Sequence, residues 1–337
     1  MRRVLGIVLS AALAAGILAG CGGKPTEPST QDPSQEPSTK VYKIGISQLA
    51  EHPALDSTRE GIIEGLKEAG FEEGKNIVIE VENAQGERTL AKEIAQKFVA
   101  DGKDVIVAIA TNTAQAAAQE TTEIPVVFSA VTDPVSAGLV KSIEQPGGNV
   151  TGTSDLVPVK DQLALFPKLG EQYKRIGIVY NTGEPNSVFL VEESKQAAQE
   201  LGLEIVEAPA TSPTEVKQAA QSLTNRVDAM YIITDNTVAQ AVQSVIAVAN
   251  EHKLPTVASV ESYVDQGALI TTGLDYRLLG RQTGKIVAEI LNGKSPAEIP
   301  VQYASDRRLL VNTETARLLG ITLPDDIMAE AVKIPAQ

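Results

Sequence analysis

Two triplets of short polar residues stand where an α/β chain concentrates its chemistry. Thr111-Asn112-Thr113 follows the apolar run Val105–Ile109, and Asp235-Asn236-Thr237 follows a matching run that begins at Ala229. In an open parallel sheet, ligands bind beyond the carboxyl ends of the strands, where loops feed helix N-termini. The neutral triplet would offer backbone N–H groups and the positive end of a helix dipole to an anion such as a carboxylate. Asp235 stands where the first triplet has Thr111, and its carboxylate can hold an ammonium through charge-assisted hydrogen bonds. A zwitterion fits between them, although Thr, Asn and Asp are equally suited to plain N-capping. The same strand-end rule adds Ser47, Gln48, Ser129, Thr132 and Asp133 on one side, and Tyr180, Glu184, Asn186, Ser187 and Glu261 on the other. Alternatives stay open at several of these. Asn186 or Ser187 caps a helix while Glu184 faces a cleft or solvent; Asp133 caps or reaches in; Glu261 reaches in or sits in a first helical turn. Tyr180, at a strand end, is the candidate for stacking on a ligand, whereas Phe98 and Phe166 read as core. His52 and His252 have no partners nearby in sequence and read as non-catalytic.

What is missing narrows the chemistry. One Cys excludes intramolecular disulfides and Cys-based metal sites, and two distant His exclude a His cluster. There is no Gly-x-Ser-x-Gly elbow, Walker loop or His-Glu-x-x-His, so no cofactor and no metal is expected. A net charge of −14 leaves no footprint for a phosphate backbone, which excludes nucleic acid as a partner. An extracellular enzyme would have to work with Asp133, Glu184 or Asp235 alone as acid and base.

The elements that must position these residues follow from composition and periodicity. The 337 residues are 43% hydrophobic but only 4% aromatic, with no Trp, which suits alternating strands and helices. From Val41 the chain reads strand Tyr42–Ser47, helix Ala54–Ala69 ended by Gly70, strand Asn76–Val81, helix Arg88–Ala100, strand Val105–Ile109, helix Thr113–Gln119 and strand Val126–Phe128. Strands that are apolar at nearly every position imply a parallel sheet covered on both faces. The pattern resumes at Lys174 and can be laid over the first. Lys43–Ile46 matches Arg175–Ile178, Asp104–Thr113 matches Asp228–Thr237, and Pro125–Ser129 matches Pro255–Ser259. The expected fold is therefore α/β, two similar doubly wound parallel-sheet lobes joined by a hinge of several crossings. Turn residues around Asn149–Val157 mark one crossing, and a second is expected near Ile270–Leu274 ahead of a helix Arg277–Leu291. The first lobe would comprise 41–152 with about 274–303, the second 153–273 with about 304–337.

Ahead of the lobes, Met1-Arg2-Arg3, an apolar run from Val4 to Leu18 and Leu18-Ala19-Gly20-Cys21 describe a secretory signal over 1–20. The Leu-Ala-Gly-Cys ending resembles the bacterial lipobox, in which Cys21 is lipidated and becomes the first residue. Residues 22–40 are rich in Pro, Ser and Thr, with no large apolar side chain, and read as a tether. As polyproline II it would reach roughly 50–60 Å at about 3.1 Å per residue.

Taken together, the lipobox, the tether, Ile44–Gln48, His52–Asp56, Phe128–Pro134, Pro146–Gly152 and Tyr180–Ser187 resemble the ABC-transporter substrate-binding lipoproteins of the tryptophan/tyrosine-type family. The resemblance covers nearly the whole chain from Cys21. It implies a type I periplasmic-binding-protein fold, without enzymatic activity, that closes on an aromatic or related amino acid and delivers it to a membrane permease with its ATPase. It implies a monomer outside the cytoplasm, attached to the bacterial cell membrane through its lipid alone. Site residues implied by the resemblance fall on Ser47, Gln48, Thr111, Thr132, Asp133, Tyr180, Glu184, Asn186, Ser187, Asp235 and Asn236. A ligand-sensing receptor feeding a membrane signalling partner would use the same fold.

Overall fold

The computed structural model describes residues 40–304 and 307–334; the signal, Cys21 and the tether lie outside them. The first stretch runs β1 (Tyr42–Gln48), α1 (Pro53–Glu68), β2 (Ile77–Asn83), α2 (Arg88–Ala100), β3 (Val105–Ile109), α3 (Thr111–Glu120), β4 (Val126–Ser129) and β5 (Val150–Ser154). β3, β4 and β5 are buried at every residue, as strands covered on both faces must be. After a short passage come α4 (Val159–Leu163), α5 (Leu165–Leu169), β6 (Arg175–Tyr180), α6 (Pro185–Leu201), β7 (Glu204–Pro209), α7 (Pro213–Leu223) and β8 (Ala229–Ile232). There follow α8 (Asn236–Ala239), α9 (Val242–Glu251), β9 (Thr256–Val260), α10 (Glu261–Asp265) and β10 (Ile270–Leu274).

The two sheets repeat one another. The first has the order β2-β1-β3-β4-β5 and the second β7-β6-β8-β9-β10, all parallel through these strands. This is the doubly wound order in which the chain reverses direction beside the first strand. Even local fastenings recur: Asp104, just before β3, accepts the backbone N–H of Lys43 at 2.8 Å, and Asp228, just before β8, accepts that of Arg175 at 2.8 Å.

Three passages join the lobes. The chain leaves the first sheet after Ser154 and the second after Leu274. The stretch Ile270–Leu274 is itself β10, so the second passage falls one residue later, at Asp275. There Asp275 caps α11 (Tyr276–Leu291), accepting the N–H groups of Arg277 and Leu278. This helix packs back on α1 of the first lobe. Then β11 (Gln302–Tyr303) adds to β5. A third passage returns the chain to β12 (Arg307–Asn312), α12 (Thr313–Leu319), α13 (Asp325–Glu330) and β13 (Val332–Ile334). β12 runs antiparallel to β10, the one departure from parallel pairing among the described strands. Its short return from the first lobe brings it in from the opposite end, and no crossover helix precedes it.

Candidate functional site

The strands of both sheets point their carboxyl ends at one cavity between the lobes. The first lobe contributes His52, Ala54 and Leu55 at the start of α1, Thr111 at α3, Ala130 and Thr132 after β4, and Asp155 after β5. The second contributes Asn186 of α6, Thr234, Asp235, Asn236 and Ala239 around α8, Val260 at the end of β9 and Tyr263 of α10; Tyr276 stands at the second passage.

The repeat makes the two sides directly comparable. α1 and α6 each follow the first strand of their lobe, and each has Pro in its first turn behind an N-cap residue, His52 in one and Glu184 in the other. In the second lobe the Glu184 carboxylate accepts the N–H groups of Asn236 (3.0 Å) and Thr237 (2.9 Å), the Asn236 amide (2.6 Å) and the Thr237 hydroxyl (2.8 Å). A built-in anion thus occupies the start of α8. The first lobe has His52 at that position, and no side chain caps α3. The Thr111 hydroxyl and the Asn112 side-chain oxygen are buried there without partners. Backbone geometry agrees, because Ala110 (φ 82°) and Ala130 (φ 55°) turn the chain at the ends of β3 and β4 in a region that L residues avoid. Such strain costs about 1–3 kcal/mol and clusters at binding sites.

Two carboxyls face the cavity, those of Asp155 and Asp235. Asp155 accepts hydrogen bonds from Thr132 Oγ1 (3.0 Å) and Tyr276 Oη (2.7 Å), and its burial raises its pKa against those bonds. Asp235 caps α8, accepting Val238 N–H at 2.8 Å and Asn181 N–H at 2.6 Å. Burial, then the neighbouring Glu184 charge, push it up to about 7. The Tyr263 phenol lies in the field of Asp235, Glu184 and Asp155 together and is raised well above its ordinary value, chiefly by burial. No Lys or Arg is among the lining residues. Two buried carboxylates without a cation favour a ligand that brings one, because burying an uncompensated charge is costly.

Of the residues expected at the site, Thr111, Thr132, Asn186, Asp235 and Asn236 line the cavity. Glu184 stands behind them as described, and Ser187 accepts from the Asn186 amide at 3.3 Å. Others lie deeper. Ser47 is buried without a partner, Gln48 is tied to Ala50, Asp56 and Arg59, and Thr113 bonds back to Ile109 and Ala110. Ser129 joins Thr153 and Thr283 in a buried hydroxyl cluster. Three are engaged with other partners. Asp133 accepts Val135 N–H and Ser136 N–H in a turn. The Tyr180 hydroxyl donates a hydrogen bond to Glu207 at 2.7 Å, and Glu261 is paired with Arg308 at 2.9 Å. Asn112 is buried one residue inside α3. Phe98 and Phe166 are fully buried. Sequence reasoning passed over Asp155, Tyr263, Tyr276 and His52. Asp155 sits in a passage with no strand–helix signal, and the partner of His52 is Asn236 of the other lobe, 3.3 Å away across the cavity.

Two α/β lobes of one strand order, joined by three passages around a polar cavity, define the type I periplasmic-binding-protein class. The chain belongs to the ABC transporter substrate binding protein family, whose model matches residues 43–334. A relative from Clostridioides difficile (strain R20291), named tyrosine-binding protein, is 41% identical over 320 residues, 95% of this chain and 93% of that one. A domain from Streptococcus pneumonia solved in complex with L-Trp is 35% identical, covers 88% of this chain and 100% of its own, and superposes with a TM-score of 0.84. The ligand-free, open structure of a substrate binding protein with adhesive properties from Clostridium difficile is 42% identical at the same coverage, yet its TM-score is 0.68. The more identical chain superposes less well. In the present structure the His52–Asn236 contact joins the two lobes across the cavity.

Proposed function

We propose that this chain is the substrate-binding protein of an ABC importer for an aromatic amino acid (tyrosine, tryptophan or phenylalanine) and hands it to a permease driven by an ATPase. The carrying observation is the polarity of the cavity. On the first lobe the uncapped start of α3, with the unpartnered Thr111 hydroxyl, suits the ligand carboxylate. Asp155, and Asp235 on the facing lobe, suit its ammonium. Tyr263, Tyr276, Leu55 and Val260 supply apolar wall for a ring. The names of the relatives above support the aromatic class. Binding bridges the lobes and draws an open–closed equilibrium toward the closed form, which the permease recognises; no covalent step is involved. The protein acts outside the cytoplasm, as a monomer held at the cell membrane by lipid on Cys21. No helix among the described residues is long and apolar enough to cross a membrane.

The test is to denature the purified protein and identify released small molecules by mass spectrometry. With no Trp in the chain, indole emission from the folded material would itself report a guest. Stoichiometric recovery of an aromatic amino acid is expected. An empty protein that shows no thermal shift with any of the common amino acids overturns the assignment.

A further inference from the structure

One buried group on the cavity wall has no part in holding a zwitterion. His52 is 6% exposed, and its Nε2 lies 3.3 Å from Asn236 Oδ1 on the facing lobe. The Asn236 amide is not free to turn, because its Nδ2 donates to Glu184 Oε2 at 2.6 Å and its backbone N–H donates to the same oxygen. The oxygen of Asn236 is therefore what His52 meets, and Nε2 carries the imidazole proton. That leaves Nδ1 a bare acceptor, buried and without a partner. Burial holds the imidazole below its ordinary pKa of 6.5, so Nδ1 stays an acceptor at neutral pH.

The sheet order places this acceptor. Along β1-β3-β4-β5, the rim of the first lobe runs His52, Thr111, Thr132, Asp155. Three strand spacings of about 4.8 Å put the His52 and Asp155 ends roughly 14 Å apart. A hydrogen bond of about 2.8 Å at each end leaves roughly 8–9 Å, the length of a tyrosine from its ammonium to its phenolic oxygen. With the ammonium at Asp155 and the carboxylate at Thr111, the ring is directed to the β1 end.

We infer that His52 Nδ1 accepts a hydrogen bond from the phenolic hydroxyl of a bound tyrosine, and that this single acceptor lets the chain discriminate tyrosine from phenylalanine. The inference rests on the proposed function and narrows it. Glu184 and Asn236 are positioning residues, since they fix the tautomer without reaching the ligand ring. A phenylalanine ring would leave Nδ1 unpaired in a closed cavity, which is how a polar site rejects an analogue that lacks one hydroxyl.

Calorimetric titration of the full-length chain with L-tyrosine and L-phenylalanine tests this. Wild type should favour tyrosine by about 10–100-fold. In His52→Leu the affinity ratio should fall to about one, whatever the lost Asn236 contact costs both ligands alike. A second readout needs no variant. In long-range nitrogen–proton NMR spectra of the two imidazoles, His52 Nδ1 should appear unprotonated in the empty protein and shift with tyrosine but not with phenylalanine. Binding of both amino acids with equal affinity, a ratio unchanged in His52→Leu, or a protonated Nδ1 overturns the inference and leaves the importer reading standing. Binding of no aromatic amino acid overturns both.

Discussion

Asp235 and Asp155 carry the charge that a ligand would neutralise, and that charge has a cost in the empty protein. Asp235, buried and beside Glu184, holds its proton up to about pH 7, whereas an unfolded Asp releases it near pH 4. Between those values the folded state binds more protons than the unfolded one, so stability falls as pH rises. Asp155 is shifted in the same direction. His52 opposes them only below about 6.5, where the unfolded imidazole takes up a proton that the buried one refuses. The clean window therefore lies between about pH 6.5 and 8, across which Asp235 alone should remove about 1 kcal/mol. Thermal melts of the empty protein should fall across this window and flatten above it. Saturation with ligand, whose ammonium favours the ionised carboxylates, should abolish the decline, and so should Asp235→Asn. A melting temperature that rises from pH 6.5 to 8 in the empty protein would show these carboxylates to be ionised throughout. At this scale the sequence was half readable. Thr111 and Asp235 announce themselves at the ends of apolar runs, because capping residues stand out there. Asp155 and His52 do not, because what makes each useful is a partner more than a hundred residues away in the chain, Tyr276 and Asn236.

At the scale of elements, the strands were legible because a parallel sheet demands near-continuous β-branched runs, and those runs recur in matching order in the two lobes. The seam between α1 and α11 was not. Gly61 and Gly65 on α1 face Gly280 and Gly284 on α11 so closely that an added Cβ would come within 2.1 Å of Arg277 O at Gly61 and 2.2 Å of Arg281 O at Gly65. On α11, Gly280 would meet Thr58 O at 2.1 Å and Gly284 would meet Ile62 O at 2.3 Å. Backbone lies on backbone, and α11, arriving from the second lobe, is fastened to the first. In a free helix, Gly→Ala would stabilise by about 1 kcal/mol. Here Gly65→Ala and Gly280→Ala should each destabilise, since overpacking a backbone contact costs about 1–3 kcal/mol or more and the neighbouring atoms are not flexible side-chain ends. Differential scanning calorimetry should show a fall of several degrees for each. Of the charged rungs beside this seam, Arg277–Glu60 at 2.9 Å is exposed and Arg281–Glu64 at 2.7 Å is half-buried at the surface. Arg281→Ala should cost about 1 kcal/mol or less by the same measurement, because ion pairs at the surface contribute little and Glu64 keeps Arg277 as a partner. A larger loss from the arginine than from the glycines would mean that charge, not close approach, holds α11.

The whole molecule ties these two scales together at the passages between lobes. Asp155 follows β5 in the first passage, Tyr276 opens α11 after the second, and the hydrogen bond between them joins the two strands of the hinge at the cavity wall. Because α11 is fixed to α1, opening of the proposed kind would carry Tyr276 with the first lobe and fall on the few residues beside it. On the proposed reading, what sets the balance between open and closed forms is the cavity's charge. Closing it empty buries Asp155 and Asp235 with no Lys or Arg to face them, while opening returns them to water. A ligand ammonium would reverse that preference, so in this reading closure would need no trigger other than charge compensation and the ring's apolar contacts. Small-angle scattering should accordingly show the radius of gyration falling when the empty protein is given its amino acid. The double variant Asp155→Asn, Asp235→Asn, which removes the charge while keeping the shape, should already be compact without ligand and change little on adding it. If that variant instead scatters like the open wild type, charge is not what holds the empty lobes apart, and strain at Ala110 and Ala130 becomes the element to test, by substituting each with Gly.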